Sequence, residues 1–338
     1  MKKTSCLLFL LLTSVLLFNA CSTDVDLYAD YKDITVVYGL LDANQDTNYV
    51  KINKAFLGPG NALDIALIAD SCNYPNKLAA KIIEYRAAAN GTNYQKTREL
   101  ILDTLTVHNK AQDGLFYAPD QLVYFTKEKI NLNTEQYNYR YELEIDRGDT
   151  VLRATTNMVG GDNFTITTGS LNFSSDGQVK WRPCENASIY EVLIQFKYTE
   201  VWSNNDSVVR IMPWRLGIFP ASSLEMEKEQ YIVHFKSDMF YTTLKTYLGN
   251  DTLKNNVYRV IGSNPLCVSI AAGGEELYSF ISVNGPSNSI VQNIPEYTNV
   301  KGGYGIFSSR TLKNKWVRMG ETLSDLVNHH ENWRFRQG

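Results

Sequence analysis

The chain is built largely from short runs in which apolar and polar residues alternate, the pattern of half-buried β-strands. Residues 34–41 and 49–56 form the first such pair, and the turn-forming residues 42–48 separate them. Further runs bounded by Asn, Asp or Gly continue to residue 145. Short strands at this spacing are typical of two packed sheets rather than of alternating β/α units. The pattern therefore predicts a β-sandwich.

A second set of strand patterns begins after the glycine-rich turn at residues 160–163. Helical spacing of apolar residues occurs in four short segments, at residues 61–68, where Asn61 can cap the helix, and at residues 238–248, 275–283 and 322–333. We therefore predict a mainly β protein of two β-sandwich domains, with short helical insertions and a C-terminal helix. The predicted domains are residues 34–160 and 161–338.

One strand pair in the second domain resembles the B and C strands of fibronectin type III domains. Trp181 closes the first of these strands, Pro183 marks a turn, and Tyr190 opens the next strand. The resemblance implies that the tryptophan fills the space between the sheets and that the tyrosine packs beside it. We expect Trp181 to be a core residue.

The N-terminus carries the pattern of a secretion signal. Two lysines precede the apolar run 6–18, which is too short to span a bilayer, and Ala20 and Cys21 follow it. This end resembles the lipobox of bacterial lipoproteins, in which the cysteine becomes an acylated N-terminus after cleavage. The resemblance implies a signal peptide at residues 1–20 and a lipid anchor on Cys21. An ordinary signal peptide with an incidental cysteine is the alternative.

Residues 21–33 are polar and acidic and are expected to tether the fold to the lipid. Asp24 and Asp26, close behind Cys21, resemble the signal that sends Bacteroidetes lipoproteins to the outer face of the outer membrane. We expect an outer-membrane, lipid-anchored protein displayed at the surface. A solvated acidic linker is the alternative.

Composition narrows the classes of partner. The formal net charge is -3 and no cluster of five or more Lys and Arg occurs, so nucleic acid is not an expected partner. Apart from Cys6 in the leader and the lipidation candidate Cys21, the chain has Cys72, Cys184 and Cys267, without C-x-x-C spacing. Two states of these cysteines are consistent with the sequence: a disulfide between Cys184 and Cys267, or three buried free thiols. Neither redox nor zinc chemistry is implied.

Common catalytic motifs are missing from the sequence. It has no G-x-S-x-G, P-loop, H-E-x-x-H or strand-associated G-x-G-x-x-G motif. His329 and His330 are adjacent, so on a helix they point in different directions and do not easily share a metal. Glu142 and Glu144 lie on one strand face, whereas a glycosidase pair must face each other across a cleft. We expect a non-enzymatic protein with no cofactor and no metal.

Two groups of residues are candidate sites. Four Asp-Ser/Thr-aliphatic triplets resemble the O-glycosylation acceptor of Bacteroidetes secreted proteins, which makes candidates of Thr104, Thr150, Ser207 and Thr252. Equally, Asp-Thr is a common way for a turn to enter a strand. Trp202 and Trp214 are candidate ligand contacts on exposed loops, with core or edge packing as the alternative for each.

The segments 275–285 and 294–310 resemble the closing signature of uncharacterised Bacteroidetes outer-membrane lipoproteins, which are often encoded near TonB-dependent outer-membrane transporters. The resemblance implies an N-terminal Ig- or prealbumin-like sandwich, a fibronectin-like second domain and such a transporter as partner. It carries over no catalytic residue. From the residues themselves, the glycines of residues 302–305 permit a positive-φ turn into a strand at residues 304–307. We expect its aromatic residues to close the second core.

The leading hypothesis is a lipid-anchored, non-enzymatic binding or accessory component of a nutrient-uptake system. A structural or adhesive surface subunit, which would need an exposed edge strand, ranks second. A surface hydrolase ranks third, because it would need facing carboxylates or a metal.

Overall fold

The computed structural model describes residues 32–57, 61–108, 120–249, 257–285, 296–320 and 333–338, together with Ser324 and Leu326. The structure is mainly β with a few short helices, as predicted. The elements up to residue 157 are β1 (Lys32–Asp42), β2 (Asn48–Leu57), α1 (Ala62–Ala66), α2 (Ala69–Cys72), β3 (Ala79–Ala88), β4 (Gln95–Ile101), β5 (Asp103–Val107), β6 (Gln121–Thr126), β7 (Tyr137–Asp146) and β8 (Val151–Asn157).

The later elements include a 3₁₀ turn at Ala221–Ser223 as well as strands and helices. They are β9 (Ser170–Leu171), β10 (Gly177–Trp181), β11 (Ile189–Trp202), β12 (Ser207–Pro220), β13 (Glu225–Glu227), β14 (Gln230–Phe235), α3 (Ser237–Leu248), β15 (Val257–Ile261), β16 (Leu266–Gly273), α4 (Glu275–Asn284), β17 (Tyr304–Met319) and β18 (Phe335–Gln337). The predicted C-terminal helix at residues 322–333 lies almost entirely outside the described residues.

The first half forms two layers around one core. The sheet β4-β3-β7-β8 provides one layer, and strands β1, β2, β6 and β5 provide the other. Alternate residues of these strands enter a common apolar cluster, among them Val37, Ile52, Ile82 and Leu143. The period-two pattern of the sequence is therefore the burial pattern of the strands.

The second half has its own core. The sheet β10-β14-β13 lies on one side, and β11 pairs with β12, β15 and β16 in the larger sheet. Trp181 is fully buried, and its ring centroid lies 5.4 Å from that of Tyr190. The prediction that Trp181 fills this core, with the tyrosine beside it, is confirmed.

The two cores share one continuous sheet. Strand β1 pairs in parallel with β17, in a register that joins Val36 to Tyr304 and Asp42 to Arg310. Val300 and Phe307 consequently lie in the first core, although they come late in the chain. The main chain passes from the first core to the second between Met158 and Val159.

The expected role of residues 304–307 is wrong. Tyr304 is 45% exposed, and the buried Phe307 belongs to the first core rather than the second. The reason is Gly305, whose φ of +102° and missing Cβ let β17 lie against β1; an added Cβ would meet the carbonyl oxygen of Val37 at 2.0 Å. A glycine anticipated for a turn serves a strand contact instead.

Cys72, Cys184 and Cys267 are buried free thiols, so the second of the two alternatives holds. Burial is the main cause that raises the pKa of Cys184 to about 12. Within the described part of the chain, no helix has both the length and the apolar composition needed to cross a membrane.

Candidate functional site

A surface groove lies at the turn end of the β1–β2 hairpin, beside helix α4, and encloses about 500 Å³. We call it the aromatic groove. Its apolar lining includes Tyr38, Tyr49 and Phe280, and its polar lining includes Asp42, Gln45 and Arg310.

Strand geometry explains why the two tyrosines face water. On β1, Val37 and Leu41 are fully buried in the core, so Tyr38 between them lies on the opposite face of the sheet. Tyr49 has the same relation to the buried Val50 on β2. The exposed fractions are 45% for Tyr38 and 50% for Tyr49, so the core makes little use of either ring.

Each tyrosine is supported by a second aromatic ring. Tyr38 meets Phe280 of α4 edge to face, with the ring centroids 6.2 Å apart. Tyr49 lies beside Phe125 of β6 at 6.3 Å, and the Lys127 ammonium lies 5.9 Å from the centroid of Phe125. Such contacts favour these orientations of the tyrosine side chains, which present two aromatic surfaces to solvent.

The polar lining is held by the turn that joins β1 and β2. The backbone amide of Asp42 donates to Oδ1 of Asn48 at 2.7 Å, and the backbone amide of Asn44 donates to Oδ1 of Asp42 at 3.0 Å. Oδ2 of Asp42 lies 3.4 Å from Nε of Arg310. The Arg310 side chain is 49% exposed, so a bound ligand can reach its other donors.

A half-buried carboxylate fixes helix α4 beside the groove. Oε2 of Glu276 accepts hydrogen bonds from the hydroxyls of Thr156 on β8 and Ser308 on β17, each at 3.0 Å. Burial is the main cause that raises the pKa of Glu276 above its usual value. Because Phe280 lies one helical turn further along α4, these bonds also position the ring that supports Tyr38.

A second groove, of about 580 Å³, runs along the edge of β8 and includes Glu142, Arg153 and Lys301 in its lining. Its charges are largely paired within the protein. Nη2 of Arg153 lies 2.7 Å from Oε2 of Glu144, and its Nε lies 3.9 Å from Oε1 of Glu142. This internal pairing leaves the second groove less suited to binding a ligand than the aromatic groove.

Glu142 and Glu144 do not face each other across a cleft. Both lie on the same face of β7 and interact with Arg153. The Arg153 hydrogen bond is the largest cause that lowers the pKa of Glu144, and Lys81 adds to it. A general acid needs the opposite shift. The pair is a cross-strand ion network on an open sheet face.

The two candidate tryptophans lie outside the aromatic groove. Trp214 is not on an exposed loop: it lies on β12, is 4% exposed and packs against Phe173 and Phe235 at ring distances of 5.7 and 5.4 Å. It is therefore unavailable as a surface contact. Trp202 is the last residue of β11 and is half-buried.

Among the candidate glycosylation sites, Thr150 and Ser207 are exposed and Thr104 is half-buried. Thr104 lies on β5, and its amide donates to Oδ1 of Asp103 at 2.8 Å. Thr252, like the lipidation candidate Cys21, lies outside the described residues.

Metal-binding side chains do not gather in the part of the molecule that the structure describes: no group of three or more His, Cys, Asp or Glu residues there could hold an ion. His329 and His330 lie outside that part.

Tyr38, Tyr49 and Phe280 were not anticipated as site residues. A local signal existed for Tyr49, since it shares the outward phase of its strand with Lys51 and Asn53. Phe280 had none, because Tyr38, the ring that it supports, lies on a strand more than 200 positions earlier in the sequence.

The fold and the groove together define a mainly β, sandwich-type protein with an aromatic surface groove. No protein-family model matches the sequence, and no curated protein is significantly similar to it.

Proposed function

We propose that the protein is a lipid-anchored outer-membrane protein, held at the cell surface through Cys21, that binds a glycan in the aromatic groove. It serves as a binding or accessory component of a nutrient-uptake system and has no enzymatic activity of its own. The lipobox-like sequence supports the anchor, and the groove supports the binding role.

The observation that carries the binding role is the pair of exposed, braced tyrosines. A sugar ring has apolar C–H faces that stack on an aromatic ring and a rim of hydroxyls that need hydrogen-bond partners. Tyr38 and Tyr49 provide the rings, while Asp42, Gln45 and Arg310 provide donors and acceptors. Binding sites commonly combine apolar walls with a few polar groups in this way.

Two further properties belong to the proposal. A TonB-dependent outer-membrane transporter is the protein partner that the family resemblance implies. Thr150 and Ser207 are the proposed O-glycosylation sites, because an acceptor hydroxyl must reach the modifying enzyme and both residues are exposed.

A glycan array with the mature protein, followed by calorimetric titration of the best ligand, tests the binding role. We expect Tyr49→Ala and Tyr38→Ala each to raise Kd about tenfold, roughly 1.4 kcal/mol. Tyr137→Ala is the matched control, because Tyr137 is 37% exposed but lies on β7 in the opposite sheet, and its Kd should not change. Equal affinities in all variants would place the site elsewhere, and silence on the array would contradict a glycan ligand.

The anchor is tested separately by metabolic labelling with an alkyne fatty acid. We expect label in the membrane fraction of cells that express the full chain and none for Cys21→Ser. Label that persists in the variant, or a soluble unlabelled wild type, would contradict anchoring through Cys21.

An adhesive subunit remains the second candidate because β12 is a 14-residue strand whose described pairing is with β11, and it exposes Val209 and Ile211. Two features oppose strand exchange along it. Pro213 has no backbone donor, and the hydroxyl of Tyr247 donates to the carbonyl of Ile211 at 3.0 Å. The middle of this edge is therefore poorly suited to accept another strand.

A further inference from the structure

Three large aliphatic side chains are turned to solvent within six residues of the α1–α2 segment. Leu63, Leu67 and Ile68 are 56%, 61% and 53% exposed, whereas Ala66 and Cys72 of the same segment are buried. We call the three exposed residues the apolar patch. The small residues Ala66 and Cys72 pack the segment against the protein. The large aliphatic side chains of the patch are left unburied, so their burial does not stabilise the fold.

The apolar patch lies near the end of the molecule at which the chain enters the fold. Lys32, the first residue of β1, pairs with Leu57, the last residue of β2, so both mark the open end of the hairpin. The α1–α2 segment follows within a few residues, and Nδ2 of Asn53 donates to the carbonyl of Cys72 at 3.2 Å. This bond holds the C-terminal end of the segment against the middle of β2, whereas its first helix follows the open end in the chain.

The sequence before β1 limits how far this end can be from a lipid on Cys21. Ten residues separate Cys21 from Lys32. At about 3.6 Å per residue, a fully extended tether spans roughly 40 Å. The open end of the hairpin, and the patch beside it, are therefore held within that distance of the bilayer.

We propose that the apolar patch inserts into the interface of the lipid bilayer, so that the molecule stands on the membrane on this end. The inference rests on the lipid anchor of the proposed function. Three aliphatic side chains give only weak partitioning, but tethering raises their effective concentration at the surface and makes weak contacts sufficient. Asp64 and Asp70 lie in the same segment, so a zwitterionic bilayer suits it better than an anionic one.

The test uses the acylated full-length protein in phosphatidylcholine vesicles, with Leu67→Cys labelled by an environment-sensitive fluorophore. The native thiols are buried, so labelling is directed to the new cysteine. We expect a blue-shifted emission and strong quenching by spin-labelled lipid. Met226→Cys is the matched control, because Met226 is 55% exposed on β13 in the other half of the molecule, and we expect it to remain unquenched.

A second change separates insertion from mere proximity. Leu63→Asp with Ile68→Asp should reduce quenching of the probe at residue 67 at least severalfold while the protein stays bound to the vesicles. Quenching at residue 67 no greater than at residue 226 would overturn the proposal. Energy transfer between labelled copies without lipid quenching would also overturn it, since the patch would then be covered by a second copy.

Separate measurements distinguish a missing lipid anchor from a patch that does not insert into the bilayer. A chain that does not float with the vesicles contradicts the lipid anchor. The patch is then tested on a chain that starts at Ser22 with an N-terminal hexahistidine tag bound to nickel-chelating lipid, which replaces the acyl anchor. In that form, an unquenched probe at residue 67 overturns the insertion proposal and a quenched one supports it.

Discussion

At the scale of single residues, the buried carboxylate of Glu84 organises the first sandwich. It is 2% exposed and accepts hydrogen bonds from Arg98 Nη2 at 2.8 Å, Thr97 Oγ1 at 2.7 Å, Tyr141 Oη at 2.9 Å and Asn131 Nδ2 at 2.9 Å. Burial alone would raise the pKa of Glu84, but the bonds from Arg98, Thr97 and Tyr141 together lower it below its usual value. The charged form is therefore the stabilising one.

We expect Glu84→Gln to lower the free energy of unfolding at pH 7 by about 1.5–3 kcal/mol, the usual contribution of hydrogen bonds to a charged group. Because the folded pKa lies below that of the unfolded chain, this contribution is present above the unfolded value of about 4.5 and is lost as the pH falls through the folded value. Urea denaturation between pH 3 and 7 measures it. Glu128→Gln, at an exposed neighbour of Arg98, is the control and should have little effect. A difference independent of pH would contradict the charge argument.

The two candidate tryptophans differ in burial, and their truncation should differ accordingly. Trp214→Ala removes a ring packed among Phe173, Phe235 and Phe240, and we expect a loss of about 3–5 kcal/mol in unfolding free energy. Trp202→Ala, at a half-buried strand end, should cost about 1 kcal/mol. Thermal denaturation compares them. Equal losses of unfolding free energy in the two variants would contradict the expectation that burial determines the contribution of each tryptophan to stability.

Sequence patterns placed Trp181 correctly but misplaced Trp214, for a physical reason. Trp181 occurs in a strand, turn and strand pattern whose apolar phase is clear. Trp214 follows Pro213, a residue that usually interrupts strands, and the segment therefore resembles a loop. Met212 and Trp214 are nevertheless buried at a spacing of two, which is the strand period. Pro213 is tolerated because β12 is an edge strand. Whether a strand lies at the edge of a sheet cannot be predicted from the local sequence pattern.

At the scale of elements, the contact between β1 and β17 depends on one glycine. Gly305 and Gly302 both have positive φ, +102° and +84°. Only at Gly305 does the backbone of another strand approach closely; an added Cβ at Gly302 has its nearest neighbour at 3.8 Å. The two positions thus separate the cost of backbone conformation from the cost of a steric clash.

We expect Gly302→Ala to lower the free energy of unfolding by about 1 kcal/mol, the cost of placing a Cβ at positive φ. Gly305→Ala should cost clearly more, since the added carbon forces β17 away from β1 and disturbs the packing of Phe307. Chemical denaturation gives the energies, and hydrogen exchange locates the loss. Equal costs would show that the β1–β17 contact can move without penalty.

Strand existence was largely predictable, whereas strand partners were not. The β1–β2 hairpin follows from two alternating runs around a turn, all of which are local features. The β1–β17 pairing joins segments more than 260 residues apart, and no local pattern specifies it. The same limit explains the aromatic groove: its tyrosines were visible in sequence, but Phe280 and Arg310 reach them only through this pairing.

At the scale of the whole molecule, the aromatic groove and the apolar patch are associated with opposite ends of the β1–β2 hairpin. The groove lies at the turn, and the patch lies near the open end. Strand β1 has 11 residues, which correspond to roughly 35 Å at about 3.3 Å per residue. A molecule that stands on the membrane with the open end of the hairpin toward the lipid would therefore point the turn and its groove away from the headgroups.

The thiols give a prediction for the entire fold. Cys72, Cys184 and Cys267 are buried and unbridged, so we expect none to react with a disulfide reagent in the native protein and all three to react in guanidinium. A reductant should leave Tm unchanged. Met226→Cys should add one thiol that reacts immediately. A Tm that falls on reduction would reveal a bridge and contradict the free thiols.

The parallel pairing of β1 with β17 also limits when the first core can complete its folding. The first core is completed by Val300 and Phe307, residues that leave the ribosome late. Closing a loop of this length is slow compared with forming a local hairpin. The half of the protein that is made first therefore cannot complete its core until residue 307 has been made, close to the end of the chain.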